Sequence, residues 1–218
     1  MIKMAVFDLD GTLVDSLTDL AISVNKGLKA VGLPEHPVDS YRTFVGNGRE
    51  KLVERAMGEK ASDKEKFNSV MEIFNCEYAA HCNDNTAAYE GCDALLKSLA
   101  EKDIMTAVLS NKPDEFICAI LSKLYPAHSF DEAWGQKPQY KCKPDGEALH
   151  AILDLHNVKT EECVYIGDSD VDVFTARNAG VKMAGVSWGF RGKTELLEAG
   201  APFVADTAEE LLWYILSL

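Results

Sequence analysis

Two carboxylates set two residues apart end an apolar run near the start of the chain, in Met4-Ala5-Val6-Phe7-Asp8-Leu9-Asp10-Gly11-Thr12-Leu13-Val14. Four successive apolar residues without alternation predict a strand buried on both faces, as in a parallel sheet. Side chains alternate along an extended chain, so Asp8 and Asp10 are expected to point roughly the same way. They would sit at the strand's carboxyl end, where open α/β sheets place ligands. Gly11 lets backbone N–H groups come close to whatever binds there. Neighbouring carboxylates repel unless a cation or proton lies between them. The chemistry that fits is a Mg²⁺-assisted site on a phosphate; the competing reading is a strand that ends in a polar turn.

Three later clusters have the same character: Ser110-Asn111 after an apolar run, Lys143 before Pro144, and Asp168 with Asp172 in Gly167-Asp168-Ser169-Asp170-Val171-Asp172. Alone, each has a plainer reading. Ser-Asn is a common turn or cap, a lysine before proline is usually surface, and acidic residues favour a helix N-terminus. Lys141 is the alternative to Lys143. Together, in this order and each at a strand end, they suggest one site.

The elements that must position these residues follow from periodicity. Leu17, Leu20, Ala21, Val24, Leu28 and Val31 mark a helix face that Gly32 and Pro34 end. A short helix with Leu52, Val53, Ala56 and Met57 inward follows Gly46-Asn47-Gly48. Ser62 and Glu65 have capping-box spacing ahead of a helix carrying Phe67, Val70, Met71, Phe74 and Tyr78. From Tyr89 onward strands and helices alternate. Strands are expected at 104–109, ending at Ser110-Asn111-Lys112, then weakly at 130–134, at 164–166, at 182–186 and at 203–205. Helices carry Leu95, Leu96 and Leu99, then run from Pro113 towards Leu124, carry Leu149, Ile152 and Leu153, and extend to Gly180. A box of Asp206 and Glu209 is expected to open the last helix, with Leu211, Leu212, Ile215 and Leu216 inward. Alternation of this kind predicts a doubly wound parallel sheet. The fold class is therefore α/β, a Rossmann-like core of residues 1–14 and 88–218 with a helical cap of residues 15–87 inserted after the first strand.

Composition narrows the field. The 218 residues are 47% hydrophobic and 26% charged, an ordinary globular balance. A net charge of −13 argues against nucleic acid, which needs a basic footprint. If the substrate is a phosphate, positive charge must come locally from a metal and specific lysines. No apolar run reaches the roughly 20 residues of a membrane span. Met1 leads directly into the first strand, so no export signal is expected. Six cysteines without CxxC spacing then read as reduced thiols, and the expected setting is cytoplasmic. A monomer or weak homodimer is expected.

The four clusters resemble the motifs of the haloacid dehalogenase superfamily of phosphohydrolases: Asp8-Leu9-Asp10-Gly11-Thr12-Leu13-Val14-Asp15-Ser16, Leu109-Ser110-Asn111-Lys112, Lys143-Pro144, and Gly167-Asp168-Ser169-Asp170-Val171-Asp172. The likeness spans the chain. Val45-Gly46-Asn47-Gly48 with Leu52-Val53-Glu54-Arg55-Ala56, and Val186-Ser187-Trp188-Gly189-Phe190, are similar to the phosphoglycolate phosphatase branch. One departure is Gly146, where relatives often carry a second proline.

The resemblance implies that Asp8 attacks phosphorus to form an aspartyl-phosphate and that Asp10 serves as acid and then base. It further implies that Ser110 binds a phosphoryl oxygen, that Lys143 neutralises charge, and that Asp8, the Asp10 carbonyl and Asp168 hold Mg²⁺, with Asp172 in support. Gly11, Thr12, Asn111 and Arg49 are the candidate substrate contacts. Arg42 and Arg49 suit a substrate carboxylate, against the alternative of exposed charges at a helix start. The five histidines, Trp134 and Trp188 read as structural. The expected activity is hydrolysis of a small phosphorylated metabolite such as 2-phosphoglycolate. Alternatives are a pyrophosphatase or nucleotide phosphatase, a sugar-phosphate mutase, and a catalytically silent binding module.

Overall fold

A computed structural model describes residues 1–218, which divide into two compact units, 1–14 with 88–218 and 15–87. In the first unit a six-stranded parallel sheet forms from β1 (Met4–Phe7), β4 (Met105–Pro113), β5 (Glu132–Gln136), β6 (Cys163–Gly167), β7 (Lys182–Val186) and β8 (Val204–Ala205). Their order is β5-β4-β1-β6-β7-β8, so β1 lies at the centre, in register with Met105–Val108 on one side and Cys163–Ile166 on the other. The two-residue strands β2 (Val14–Asp15) and β3 (Ala87–Ala88) form a separate small sheet where the chain leaves and rejoins this unit.

Alternation along the strands builds two apolar layers. Ala5 and Phe7 join Val108, Val164 and Ile166 under α4 (Cys92–Ala100), α5 (Asp114–Leu124) and α9 (Ala208–Ser217). Met4 and Val6 join Ala107, Leu109 and Tyr165 under α6 (Glu147–Leu155), α7 (Asp170–Ala179) and α8 (Gly192–Ala199). This is the doubly wound Rossmann-like arrangement that the alternation predicts, and it explains why β1 is apolar at every position. Each fully buried Leu, Ile or Phe contributes roughly 1.5–3 kcal/mol. The even-numbered face of β1 leads, one step on, to Asp8.

Several boundaries shift from the sequence expectation. β4 continues through Ser110, Asn111 and Lys112 instead of stopping before them, and β5 starts later than 130. Asp63, not Ser62, caps the helix that follows, accepting the Lys66 N–H at 3.2 Å. Thr207, not Asp206, caps α9 through the Glu210 N–H; Asp206 pairs instead with Lys193 and Ser187. Leu216 faces solvent.

The second unit is helical: α1 (Leu17–Ala30), a 3₁₀ turn over Val38–Thr43, α2 (Arg49–Met57) and α3 (Lys64–His81). Gly27 lets α1 approach the α3 backbone at Val70. The unit ties its own two ends together. Asp19, on the first turn of α1 and 2% exposed, accepts the Asn85 N–H at 3.0 Å, Asn85 Nδ2 at 2.8 Å, the Thr86 N–H at 2.8 Å and Thr86 Oγ1 at 2.7 Å. Burial alone would raise the Asp19 carboxyl, but these donors outweigh it and lower it below the usual value. An acid whose folded pKa is depressed adds stability above its unfolded pKa, near 4, and loses it as pH falls through the folded value. Asp19→Ala should therefore cost about 2–3 kcal/mol at pH 7, read by urea unfolding. The difference from the wild type should shrink below pH 4.

Candidate active site

The carboxyl ends of β1, β4 and β6 and the segment before α6 bring together the sequence-singled residues of the first unit. At its centre is a lysine between two acids. Lys143 Nζ lies 2.9 Å from Asp8 Oδ1 and 2.8 Å from Asp172 Oδ1, with all three side chains buried. Lys143 also donates to the Tyr165 hydroxyl at 2.9 Å, which in turn donates to the Leu109 carbonyl at 3.0 Å. The alternative lysine, Lys141, is 80% exposed and faces Asp145.

Asn111 fixes the Lys143 backbone from both sides, donating from Nδ2 to the Lys143 carbonyl at 3.0 Å and accepting the Lys143 N–H at 2.8 Å. Its side-chain amide thus serves the lysine's position. Ser110 Oγ accepts the Lys112 N–H at 3.3 Å. Asp172 Oδ2 accepts the Ser169 N–H at 3.2 Å and Ser169 Oγ at 2.8 Å, which places it in the first turn of α7.

Asp168 stands beside this group. Its Oδ2 accepts the Phe190 N–H at 2.6 Å. A side chain at Gly11 or at Gly189 would overlap the Asp168 carboxylate, so two backbones close on it where only glycine fits. Asp8, Asp168 and Asp172 each offer an oxygen within 4.8 Å of the others. Burial pushes Asp8 up to about 6, with Asp172 and Asp10 adding and Lys143 opposing. Burial, then the charges of Asp172 and Asp8, hold Asp168 well above the carboxylate range. For Lys143 burial acts downward, but Asp172 and Asp8 outweigh it and hold the ammonium above its usual value. Asp8 Oδ1 is buried with no partner beyond the Lys143 ammonium at 2.9 Å. Three buried carboxylates, one with an orphaned oxygen, against a single nearby ammonium form an oxygen-rich set short of positive charge. That set fits a hard divalent cation.

Asp10 has a lysine of its own. Its two carboxylate oxygens lie 2.9 and 3.1 Å from Lys112 Nζ, so each acid of the first motif has its own lysine. The turn after Asp10 is pinned at its carbonyls: Leu9 O accepts three N–H groups, Thr12 O accepts Trp188 Nε1 at 3.0 Å, and Leu13 O accepts the Tyr125 hydroxyl at 2.6 Å. Thr12 Oγ1 is buried without a hydrogen-bond partner. No sequence motif marks Lys112, Tyr165 or the Phe190 amide for these contacts, and Trp188, structural by its sequence, adds a hydrogen bond to the turn.

Arg49 and Arg42 belong to the second unit. Arg49 reaches Asn75 at 3.2 Å and Glu50 at 3.3 Å, and Arg42 reaches Asp39 at 3.4 Å. Arg55 organises the loop between them, donating to the Phe44 carbonyl at 2.9 Å and to Asn47 Oδ1 at 2.6 Å.

Comparison with known proteins gives the family. Residues 5–186 match the family model of haloacid dehalogenase-like hydrolases, and the chain belongs to that family. It is 31% identical over 216 residues to a phosphoglycolate phosphatase of Vibrio parahaemolyticus, covering 97% of this chain and 95% of that one. A phosphoglycolate phosphatase of Vibrio cholerae is 30% identical over 220 residues, with 99% and 97% covered. A crystal structure from Lactobacillus delbrueckii subsp. bulgaricus, of a protein proposed to be a phosphoglycolate phosphatase, superposes with a TM-score of 0.92 at 33% identity, covering 98% of each chain. The protein is therefore a phosphoglycolate phosphatase-like hydrolase. No helix is long and apolar enough to cross a membrane.

Removing the central ammonium would leave Asp8 and Asp172 buried and unpaired. Lys143→Met should lower stability by about 3–5 kcal/mol, measured by urea unfolding in the presence of EDTA. Asp8→Asn placed on Lys143→Met should recover part of that loss by removing one of the unpaired charges.

Proposed function

We propose that this protein is a Mg²⁺-dependent phosphomonoester hydrolase working through an aspartyl-phosphate, and that 2-phosphoglycolate is its leading substrate. The observation that carries the reading is the buried Asp8–Lys143–Asp172 contact with Asp168 alongside, at the carboxyl ends of the two central strands. A small phosphorylated metabolite as substrate is supported by the names of the relatives.

Asp8, raised only to about 6, is an anion at neutral pH and can act as nucleophile. Its oxygen bonds to phosphorus as the ester bond breaks, and Asp10 gives a proton to the leaving oxygen. In the second half Asp10 takes a proton from water, the water oxygen bonds to phosphorus, and the Asp8–phosphorus bond breaks to release phosphate. Lys143 offsets the negative charge on Asp8 and on the phosphoryl oxygens. Ser110 donates its hydroxyl to one of those oxygens, with the buried Thr12 hydroxyl and the tightly turned Gly11 as further candidates in the same loop. Asn111 acts through Lys143, and Asp172 through Lys143 and Ser169.

Asp8, the Asp10 carbonyl and Asp168 are the residues that would hold Mg²⁺. When bound it supplies the positive charge that lets a carboxylate approach an anionic phosphate. Residues 15–87 are read as the cap that selects the leaving group, with Arg49 for a substrate carboxylate.

Phosphate release from a panel of 2-phosphoglycolate, p-nitrophenyl phosphate, pyrophosphate, nucleoside monophosphates and hexose phosphates tests this reading. With Mg²⁺, 2-phosphoglycolate should be turned over fastest, EDTA should abolish release, and Asp8→Asn should lower kcat at least ~10³-fold. Arg49→Ala should raise KM for 2-phosphoglycolate more than for p-nitrophenyl phosphate. Mg²⁺ should also raise the wild-type melting temperature, and Asp168→Asn should remove that shift. Release from none of the esters would refute the hydrolase reading; hexose phosphate interconversion faster than release would make it a mutase.

A further inference from the structure

Lys112 is a lysine buried in the interior. Its side chain is 2% exposed, and its ammonium contacts both oxygens of Asp10, which is 12% exposed. Burying an ammonium is expensive unless it is paired, so a lysine at this depth needs a partner that justifies it. The backbone is arranged to deliver it. The β4–β5 pairing loses its regular register between Leu109 and Pro113, the stretch that holds Ser110, Asn111 and Lys112. Such an irregularity frees successive residues from strict alternation and re-aims them. Asn111 then meets the Lys143 backbone while Lys112 meets Asp10. β5 locks the arrangement: a side chain at Gly135 would strike the Lys112 carbonyl and the Asp114 backbone, and the Gly135 N–H donates to Asp114 Oδ1 at 2.8 Å.

Asp10 needs such a partner. It opens a turn whose next residue, Gly11, has a positive φ of 87°, and an aspartate's own torsions leave its carboxylate several directions. Proton transfer requires the oxygen within hydrogen-bond reach of its target, and a misplacement of about 1 Å can cost ~10²-fold in rate. We infer that Lys112 is a positioning residue that holds the Asp10 carboxylate in place for its proton transfers. The inference rests on the reading of Asp10 as acid and base.

The test is a double-mutant cycle of Lys112→Met and Asp10→Asn, with Lys112→Arg as a charge-keeping variant and urea unfolding to check that each protein is folded. Lys112→Met should lower kcat ~10–10²-fold with KM changed less than about threefold, and Lys112→Arg should recover most of it. The loss should be greater for an alkyl phosphate, whose leaving oxygen needs a proton, than for p-nitrophenyl phosphate, the pattern Asp10→Asn should also give. In the Asp10→Asn background Lys112→Met should change kcat less than about threefold. An equal loss in both backgrounds, or a loss confined to KM, overturns the inference and leaves the role of Asp10 standing. Should Lys112→Met fail to fold, Lys112→Arg decides: a uniform loss across both leaving groups overturns the inference, and near-complete activity with an unchanged leaving-group ratio supports it. Asp10→Asn at the wild-type rate overturns the reading of Asp10 itself, and this inference with it.

Discussion

The site depends on one ammonium held between two acids in the interior. Lys143 sits among Asp8, Asp172 and the Tyr165 hydroxyl. Burial alone would push every one of these groups towards its neutral form. The mutual contact keeps the lysine charged and leaves Asp8 ionisable near neutrality. Much of the neighbouring hydrogen bonding serves that arrangement. Asn111 fixes the lysine's backbone, Leu109 orients Tyr165, and Ser169 orients Asp172.

A parallel sheet is the economical way to assemble such a group. Each strand delivers its carboxyl end to the same edge, and the helices on both faces take up the apolar residues, so the polar side chains of the site gather at those ends. β1 contributes Asp8, β4 contributes Ser110 to Lys112, and β6 leads to Asp168 and on to Asp172 in α7. Residues separated by more than a hundred positions thus meet with little loop between strand and function, which keeps the positions of their side chains narrow.

The sequence shows clearly what local rules govern. The unbroken apolar run before Asp8 reflects two-sided burial, and the succession of strands and helices yields the sheet. The spacing in Gly167-Asp168-Ser169-Asp170-Val171-Asp172 reflects a strand end passing into a capped helix. Less visible is anything decided by a distant partner. Lys112 looks like a lysine in a turn until its ammonium is seen against the Asp10 carboxylate. Tyr165 and Trp188 look like packing until their polar tips meet Leu109 and Thr12. The helix starts at Asp63 and Thr207 missed by one residue because the residue before each is also a good cap, so local preference alone does not choose between them. The strand ends at Phe7, so strict alternation no longer governs Asp8 and Asp10, and each takes a lysine of its own.

The Asp19 tie has a consequence for how this chain was built. Because Asp19 binds Asn85 and Thr86, the beginning and end of the helical insertion are held side by side by the insertion's own residues. To the sheet, everything from Asp15 to Ala87 is topologically equivalent to a tight hairpin between β1 and α4. An insertion that closes its own ends can lengthen, shorten or be exchanged for another without disturbing the register of the strands that carry the chemistry. The same central sheet can then be reused behind different insertions, with its reaction centre inherited intact.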